Sequence, residues 1–167
     1  GIIGVNGRGN GMGRNFSRQN NTEVTCICDV DKRAIEKAVK SMMSSTPAPV
    51  NTPKVEGDCR KVCEDKSIDA IYTATPDHWH AQPAIEAALA GKDIYLQKPL
   101  TLTVTEGRLL SDVVKKKGVI LQVGAQCRSR EPQYRRAAEL VLNGRIGKIH
   151  TVKIGLPGDP PGPEAPE

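Results

Sequence analysis

Short apolar runs alternate with helical patterns along most of the chain. The apolar runs predict buried strands, and the segments between them repeat their apolar positions at helical spacing. Strands are predicted at residues 1–5, 24–28, 54–56, 69–74, 93–96 and 119–123. Helices are predicted after Asp31 and at residues 81–89, 103–118 and 131–143. Strands that alternate with helices predict an α/β fold, a doubly wound parallel sheet with helices on both faces.

Three of the predicted helices carry recognisable end signals. Asp31 is a candidate N-cap, and Thr103 with Glu106 forms a candidate capping box. Gly91 and Gly118 follow predicted helices, where glycine commonly ends a helix. Ligands of doubly wound sheets bind at the carboxyl ends of the strands, so the turns that follow the strands are the segments in which to look for function.

Composition and charge narrow the classes of function. A chain of 167 residues suits one compact domain, and none of its apolar runs approaches the roughly 18 residues that a membrane helix needs. Its net charge of +5 suits nucleic acid or a small molecule that carries phosphate. The basic residues are dispersed, however, and a single Trp and a single Phe leave little for base stacking. We therefore expect neither a nucleic-acid nor a membrane partner.

The 5 cysteines do not form the pattern of a metal site. Cys59 and Cys63 would share a helix face, but two thiols without a nearby histidine fall short of the four ligands of a structural zinc site. We expect no metal and reduced, partly buried thiols, which suggest a reducing compartment. The sequence begins at Gly1 inside a predicted strand, so a cytoplasmic location is expected while export stays open, because the start of the protein is missing.

The turn after the first predicted strand is rich in glycine. It contains Gly4, Asn6, Gly7, Arg8 and Gly9. Against the pattern G-x-G-x-x-G, Gly4 and Gly9 match and Asn6 takes the place of the middle glycine. Asparagine tolerates a positive φ, so this replacement weakens the pattern without breaking it. Such a turn brings backbone close to a pyrophosphate and aims a helix N-terminus at it, which predicts dinucleotide binding.

Asp29 supports the same interpretation. It ends the second predicted strand, 20 positions after Gly9, where an acid that accepts hydrogen bonds from an adenosine ribose is expected. A helix cap is the alternative role for Asp29, but Asp31 can fill it. A carboxylate repels a 2′-phosphate, so NAD is the predicted cofactor, while Arg33 leaves NADP open.

Three later segments each follow a predicted strand. Residues 73–80 read TATPDHWH, residues 95–101 read YLQKPLT and residues 123–128 read VGAQCR. They are expected to gather at the same sheet edge as the glycine turn. Together with that turn they resemble the Gfo/Idh/MocA family of oxidoreductases, whose Rossmann-like cofactor domain carries a T-P-[ND]-x-x-H stretch and an E-K-P motif. The resemblance runs from Gly1 to about Gly155.

The resemblance implies an NAD(P)-dependent dehydrogenase that acts on sugars, inositols and related polyols. It makes Lys98 the catalytic lysine beside the reacting hydroxyl and His80 the histidine near the nicotinamide. It further implies contacts with the cofactor or substrate from Thr73, Thr75, Pro76, His78, Gln97, Gln126 and Arg128. Gln97 departs from the family's usual glutamate, which keeps hydrogen bonding but removes a negative charge next to Lys98.

The resemblance also implies how the chain is organised. Residues 1–147 are expected to form the NAD(P)-binding domain, and residues 148–167 to give the first strand, predicted at 148–154, and the proline-rich linker of a missing C-terminal substrate domain. That domain would supply a second proton-transfer group, and the full-length protein is expected to form homo-oligomers. The alternative is a non-catalytic module that binds a dinucleotide for regulation or scaffolding.

Overall fold

The structure is a computed structural model that describes residues 1–46, 48–49, 51–125 and 132–155. The chain divides into two compact units, Gly1–Ala125 and Gln126–Glu167. The first unit contains the sheet and the glycine turn. In the described part of the chain, none of the helices is long and apolar enough to cross a membrane.

Six parallel strands form the sheet of the first unit. They are β1 (Ile2–Ile3), β2 (Cys26–Cys28), β3 (Lys54–Glu56), β4 (Ala70–Thr73), β5 (Asp93–Gln97) and β6 (Leu121–Gly124). Their order is β3-β2-β1-β4-β5-β6, and every neighbouring pair is parallel. The order reverses between β1 and β4, which creates the switch point where doubly wound sheets bind their ligands. The predicted fold class and its strands are confirmed.

The described helices include the four that the sequence predicted. They are α1 (Arg8–Phe16), α2 (Lys32–Met43), α3 (Cys59–Glu64), α4 (Ala81–Leu89), α5 (Val104–Lys117) and α6 (Pro132–Leu142), with a 3₁₀ turn at Asp77–Trp79. Asp31 caps α2 by accepting from the Arg33 amide. Thr103 and Glu106 make both bonds of a capping box on α5, and Gly118 ends that helix with φ 68°. The local signals therefore fix where these helices begin and end.

The core lies on both faces of the sheet. Ile2 packs in one apolar cluster with Ile27 and Met42, whereas Ile3 packs in the other with Leu96 and Leu110. Neighbouring residues of a strand point to opposite faces, so even the short strand β1 anchors both layers of helices. This burial holds the carboxyl ends of β1, β2 and β4 in fixed relation to one another.

The second unit departs from prediction at one element. Residues 148–155 take no regular secondary structure, so the strand predicted at 148–154 is wrong for this structure. A strand is stable only when a neighbour satisfies its backbone hydrogen bonds, and the described part of this unit contains no other strand. The domain boundary at residue 147 stays a prediction.

Candidate functional site

The glycine turn joins β1 to α1 under tight steric limits. Gly4 has φ +84°, and a Cβ on it would lie 2.6 Å from the backbone nitrogen of Thr75. A Cβ on Gly9 would lie 1.8 Å from the Gly4 carbonyl oxygen. Neither position has room for a side chain, so glycine is required at both. The matches that the sequence pattern gave to Gly4 and Gly9 therefore have a steric cause.

The middle of the turn is open toward solvent. Asn6, Gly7 and Arg8 are exposed, and a Cβ on Gly7 would meet no atom within 4 Å. Gly7 is the N-cap of α1 and has no side chain that could cap the helix. The backbone N–H groups in the first turn of α1 therefore stay available to an anion. The reason given for Asn6 is wrong, however, since Asn21 is the non-glycine residue with positive φ among those described.

One polar atom near this helix end was missed by the sequence pattern. Asn10 lies in the first turn of α1 and is only 9% exposed, and its Oδ1 accepts no hydrogen bond from a described residue. A buried carbonyl oxygen is stabilised by a donor. No sequence signal separates this asparagine from an ordinary surface residue.

Asp29 lies directly beside the glycine turn. Its Oδ2 accepts a hydrogen bond of 2.8 Å from the Val5 amide, and its Oδ1 accepts one of 3.1 Å from the Asp31 amide. The residue is half-buried at the end of β2. A carboxylate has about four acceptor sites, so each oxygen keeps capacity for a ribose hydroxyl. The geometry therefore brings the predicted ribose acceptor and the predicted phosphate turn together.

Arg33 is not brought to this acceptor. Its Nε and Nη2 both donate to the Asp31 carboxylate at 3.1 Å, and its side chain is 91% exposed. The hydrogen bond between the two side chains raises the pKa of Arg33 and lowers the pKa of Asp31. The structure thus pairs this guanidinium with the helix cap, and its predicted contact with the cofactor stays a prediction.

The segment after β4 contains both buried and exposed members of the predicted site. Thr73, the last residue of β4, is 0% exposed, so only its backbone could face a cofactor, and its predicted contact stays a prediction. The Thr75 hydroxyl donates to the Trp79 carbonyl at 3.0 Å, while Pro76 and His78 are exposed. Trp79, which the sequence pattern did not single out, is 49% exposed on the 3₁₀ turn.

His80 is buried, and its predicted catalytic role near the nicotinamide stays a prediction. It is 1% exposed, its Nδ1 lies 2.5 Å from the Pro99 carbonyl oxygen, and its Nε2 lies 2.9 Å from the Thr75 carbonyl oxygen. Both ring nitrogens therefore face backbone, and the ring presents almost no surface to a substrate.

The segment after β5 places one charged side chain in solvent. Lys98 is exposed, whereas Gln97 before it is only 7% exposed. The Gln97 Oε1 accepts a hydrogen bond of 3.4 Å from the Tyr72 hydroxyl, so its amide is directed into the protein, and its predicted contact with a cofactor stays a prediction. Burial raises the pKa of Tyr72 to about 12, an effect that the guanidinium of Arg8 partly offsets.

The remaining observations concern other parts of the molecule. Gln126 and Arg128 lie outside the described residues. Among the residues that are described, no three His, Cys, Asp or Glu side chains gather in a way that could hold a metal ion.

A cavity of about 790 Å³ is lined by residues that precede β2 and β4, including Val24, Thr25 and Asp69. It lies at the amino edge of the sheet and thus apart from the glycine turn.

Comparison with known proteins gives a consistent result. A family model described as "Oxidoreductase family, NAD-binding Rossmann fold" (GFO_IDH_MocA) matches residues 1–125. The NAD⁺-dependent scyllo-inositol 2-dehydrogenase of Bacillus subtilis is 35% identical over 126 residues, covering 75% of this chain and 34% of that protein. Levoglucosan dehydrogenase of Pseudarthrobacter phenanthrenivorans is 39% identical over 92 residues, covering 55% of this chain and 23% of that protein.

Solved structures agree with the sequence relatives. The myo-inositol 2-dehydrogenase of Lactobacillus plantarum superposes with a TM-score of 0.74 at 27% identity, covering 89% of this chain and 42% of that one. The chain thus spans less than half the length of the relatives it matches. The glycine turn, the acid at the end of β2 and the sheet order agree with the family match, and the chain belongs to the GFO_IDH_MocA oxidoreductase family, whose NAD-binding Rossmann fold its residues 1–125 form.

Proposed function

We propose that the whole protein is an NAD-dependent dehydrogenase. Its reaction is the reversible transfer of a hydride between a secondary alcohol of a sugar, inositol or related polyol and C4 of the nicotinamide. The observation that carries the proposal is an exposed lysine, Lys98, at the same sheet edge as the glycine turn and Asp29. The names of relatives that act on inositols and on levoglucosan support the substrate class.

The residues present fit an NAD molecule. The uncapped first turn of α1 would hold the pyrophosphate, with Gly4 and Gly9 allowing the close approach of backbone. Asp29 would accept hydrogen bonds from the adenosine ribose. When bound, the nicotinamide supplies the hydride acceptor. Because the Asp29 carboxylate would repel a 2′-phosphate and Arg33 is paired with Asp31, NAD is favoured over NADP.

Lys98 would act on the substrate. Its ammonium donates a hydrogen bond to the alcohol oxygen and stabilises the negative charge that grows there as the hydride leaves. Its position after β5, one strand from β4, brings it to the carboxyl edge where the nicotinamide half of the cofactor is expected. A second group for the alcohol proton would come from a substrate domain.

Three features of the whole protein belong to the same proposal. Residues 1–147 form the NAD(P)-binding domain, residues 148–167 lead into a substrate domain, and the protein forms homo-oligomers. The length of the relatives, more than twice the matched part, supports the further domain. The four described cysteines are free, which supports a reducing compartment such as the cytoplasm.

A calorimetric titration of this chain with NAD and NADP in turn tests the proposal. We expect saturable binding of NAD and weaker binding of NADP. Asp29→Asn removes the charge but keeps an acceptor, so it is expected to reduce the preference for NAD. Val30→Ala is the matched control, because Val30 is 90% exposed on the next position. Failure of the chain to bind either dinucleotide would refute the proposal.

A further inference from the structure

His80 joins two of the loops at the carboxyl edge. It stands between the 3₁₀ turn and α4, at the end of the segment that follows β4. Its Nδ1 faces the carbonyl oxygen of Pro99, in the loop after β5, and its Nε2 faces the carbonyl oxygen of Thr75, in its own loop. The ring is 1% exposed, so these two contacts account for all of its polar atoms.

In both contacts the histidine ring nitrogen has to be the hydrogen-bond donor. A carbonyl oxygen can only accept, so each contact is a hydrogen bond when the facing ring nitrogen carries a hydrogen. The Nδ1–H tautomer bonds Pro99, the Nε2–H tautomer bonds Thr75, and a ring with both hydrogens bonds both. In every one of these states the ring binds backbone and does not reach a substrate hydroxyl.

The position of Lys98 is set by the loop that follows β5. Its side chain is exposed, and within the described part of the chain no hydrogen bond or ion pair holds its ammonium. Its two neighbours are held instead, Gln97 by the Tyr72 hydroxyl at 3.4 Å and Pro99 by His80 at 2.5 Å. The backbone of Lys98 therefore lies between two anchored residues, of which the contact to His80 is the shorter.

We propose that His80 is a positioning residue, which fixes the backbone of Lys98 at the nicotinamide end of the site by bonding the carbonyl oxygen of Pro99. The proposal rests on the proposed function for the meaning of Lys98. His80 then acts through the loop after β5 and touches neither cofactor nor substrate. The same ring also contacts Thr75, so it holds the loops after β4 and β5 at a fixed distance from each other.

Two conservative variants separate the two contacts. The amide nitrogen of asparagine reaches the place of Nδ1, and that of glutamine reaches the place of Nε2, so His80→Asn keeps a donor for Pro99 and His80→Gln keeps one for Thr75. Ile71→Val is the control for a general loss of stability, since Ile71 is buried in β4 away from both carbonyl oxygens. All three are made in this chain and compared at equal folded fraction.

The backbone amide resonance of Lys98, measured in the cofactor-free chain, is the direct readout. We expect it to move in His80→Gln and to keep its place in His80→Asn and Ile71→Val. The proposal is overturned if the resonance does not move in His80→Gln, or if it moves equally in both histidine variants. A ring that only fills space would give the same result in His80→Gln and His80→Asn. If His80→Gln does not fold, the unaltered chain decides: a slowly exchanging hydrogen on Nδ1 of His80 supports the bond to Pro99, and an Nδ1 without hydrogen refutes it.

Affinity for NADH links the contact to the cofactor. Loss of one hydrogen bond that orders the site should weaken binding in His80→Gln roughly threefold to tenfold, with His80→Asn close to the unaltered chain. Equal affinity in both would refute the positioning role. Failure of the unaltered chain to bind NADH would instead count against the proposed function, since the cofactor-free spectra judge the contact to Pro99 by themselves.

Discussion

Gly9 offers the sharpest test of the glycine turn, because a single methyl group there meets backbone rather than a flexible side chain. In Gly9→Ala the added Cβ would lie 1.8 Å from the Gly4 carbonyl oxygen, whereas real Cβ atoms stay at least 3.0 Å from such an atom. The turn and α1 must therefore separate by more than 1 Å. Gly4 cannot easily absorb this movement, since its φ of +84° and its own contact with Thr75 already confine it.

The size of the effect follows from the packing. Overfilling a packed site costs about 1–3 kcal/mol, and more where backbone must move, so we expect Gly9→Ala to lower the free energy of unfolding by about 3 kcal/mol. Gly11→Ala is the matched control, since Gly11 lies in the same helix and its Cβ would meet nothing within 4 Å. Alanine in a helix is favoured over glycine by up to about 1 kcal/mol, so the control should gain stability.

Urea unfolding followed by circular dichroism measures the change in stability. Calorimetric titration with NAD measures the change in cofactor affinity. A displacement of about 1 Å at the phosphate turn should weaken NAD binding at least tenfold, roughly 1.4 kcal/mol, while Gly11→Ala should leave affinity unchanged. The reasoning fails if the two variants have equal stability and bind NAD equally well. A Gly9→Ala chain that does not fold beside a folded Gly11→Ala chain agrees with the collision.

Three further predictions concern other parts of the molecule. Lys92 is 6% exposed and its Nζ donates to the carbonyl oxygens of Asp65 and Ile68 at 2.7 and 2.6 Å, so Lys92→Met should cost about 2–3 kcal/mol in urea unfolding, with exposed Lys116→Met as a control. Burial raises the pKa of Cys28 and of Cys63 to about 12. Because the unfolded thiols lose protons from about pH 8.5, the free energy of unfolding should fall between about pH 8.5 and 12, by up to about 1.4 kcal/mol per pH unit for each thiol. Substituting both cysteines by alanine should flatten this dependence of stability on pH. Trp79 is the single tryptophan of the chain, so NADH should quench its fluorescence on binding, and calorimetric binding without quenching would place the nicotinamide away from this turn.

The parts of the fold that were predictable are those that local patterns determine. Each strand of the sheet apart from β3 contains a short apolar run, and α5 begins at a capping box whose partners are three residues apart. Asp29 lies beside the glycine turn because its spacing from Gly9 is set by one helix and one strand. The predicted strand at residues 148–154 failed for the opposite reason, since a strand depends on a partner that its own sequence does not contain.

Within the candidate site, the sequence grouped the residues into segments but did not predict which of them are buried. His80, Gln97 and Thr73 belong to the same segments as exposed Lys98, yet burial separates them from it. Whether a histidine contacts a ligand or a carbonyl oxygen is decided by residues such as Pro99, which lies 19 positions away. No periodicity or spacing rule carries that information, because the contact exists only after β4 and β5 have paired.

This division of roles has a consequence for the two segments TATPDHWH and YLQKPLT. They are joined at two places, since Tyr72, which directly precedes the first segment in β4, bonds Gln97 of the second, and His80 faces Pro99. The first joint is buried and the second is partly buried, and the exposed ionisable side chain between them in the second segment is Lys98. A substitution at any of the buried partners therefore acts on Lys98 through its backbone, even though none of them touches the ammonium. The segments are best understood as a single unit that supports one lysine, and their chemistry should be assigned by exposure rather than by residue type.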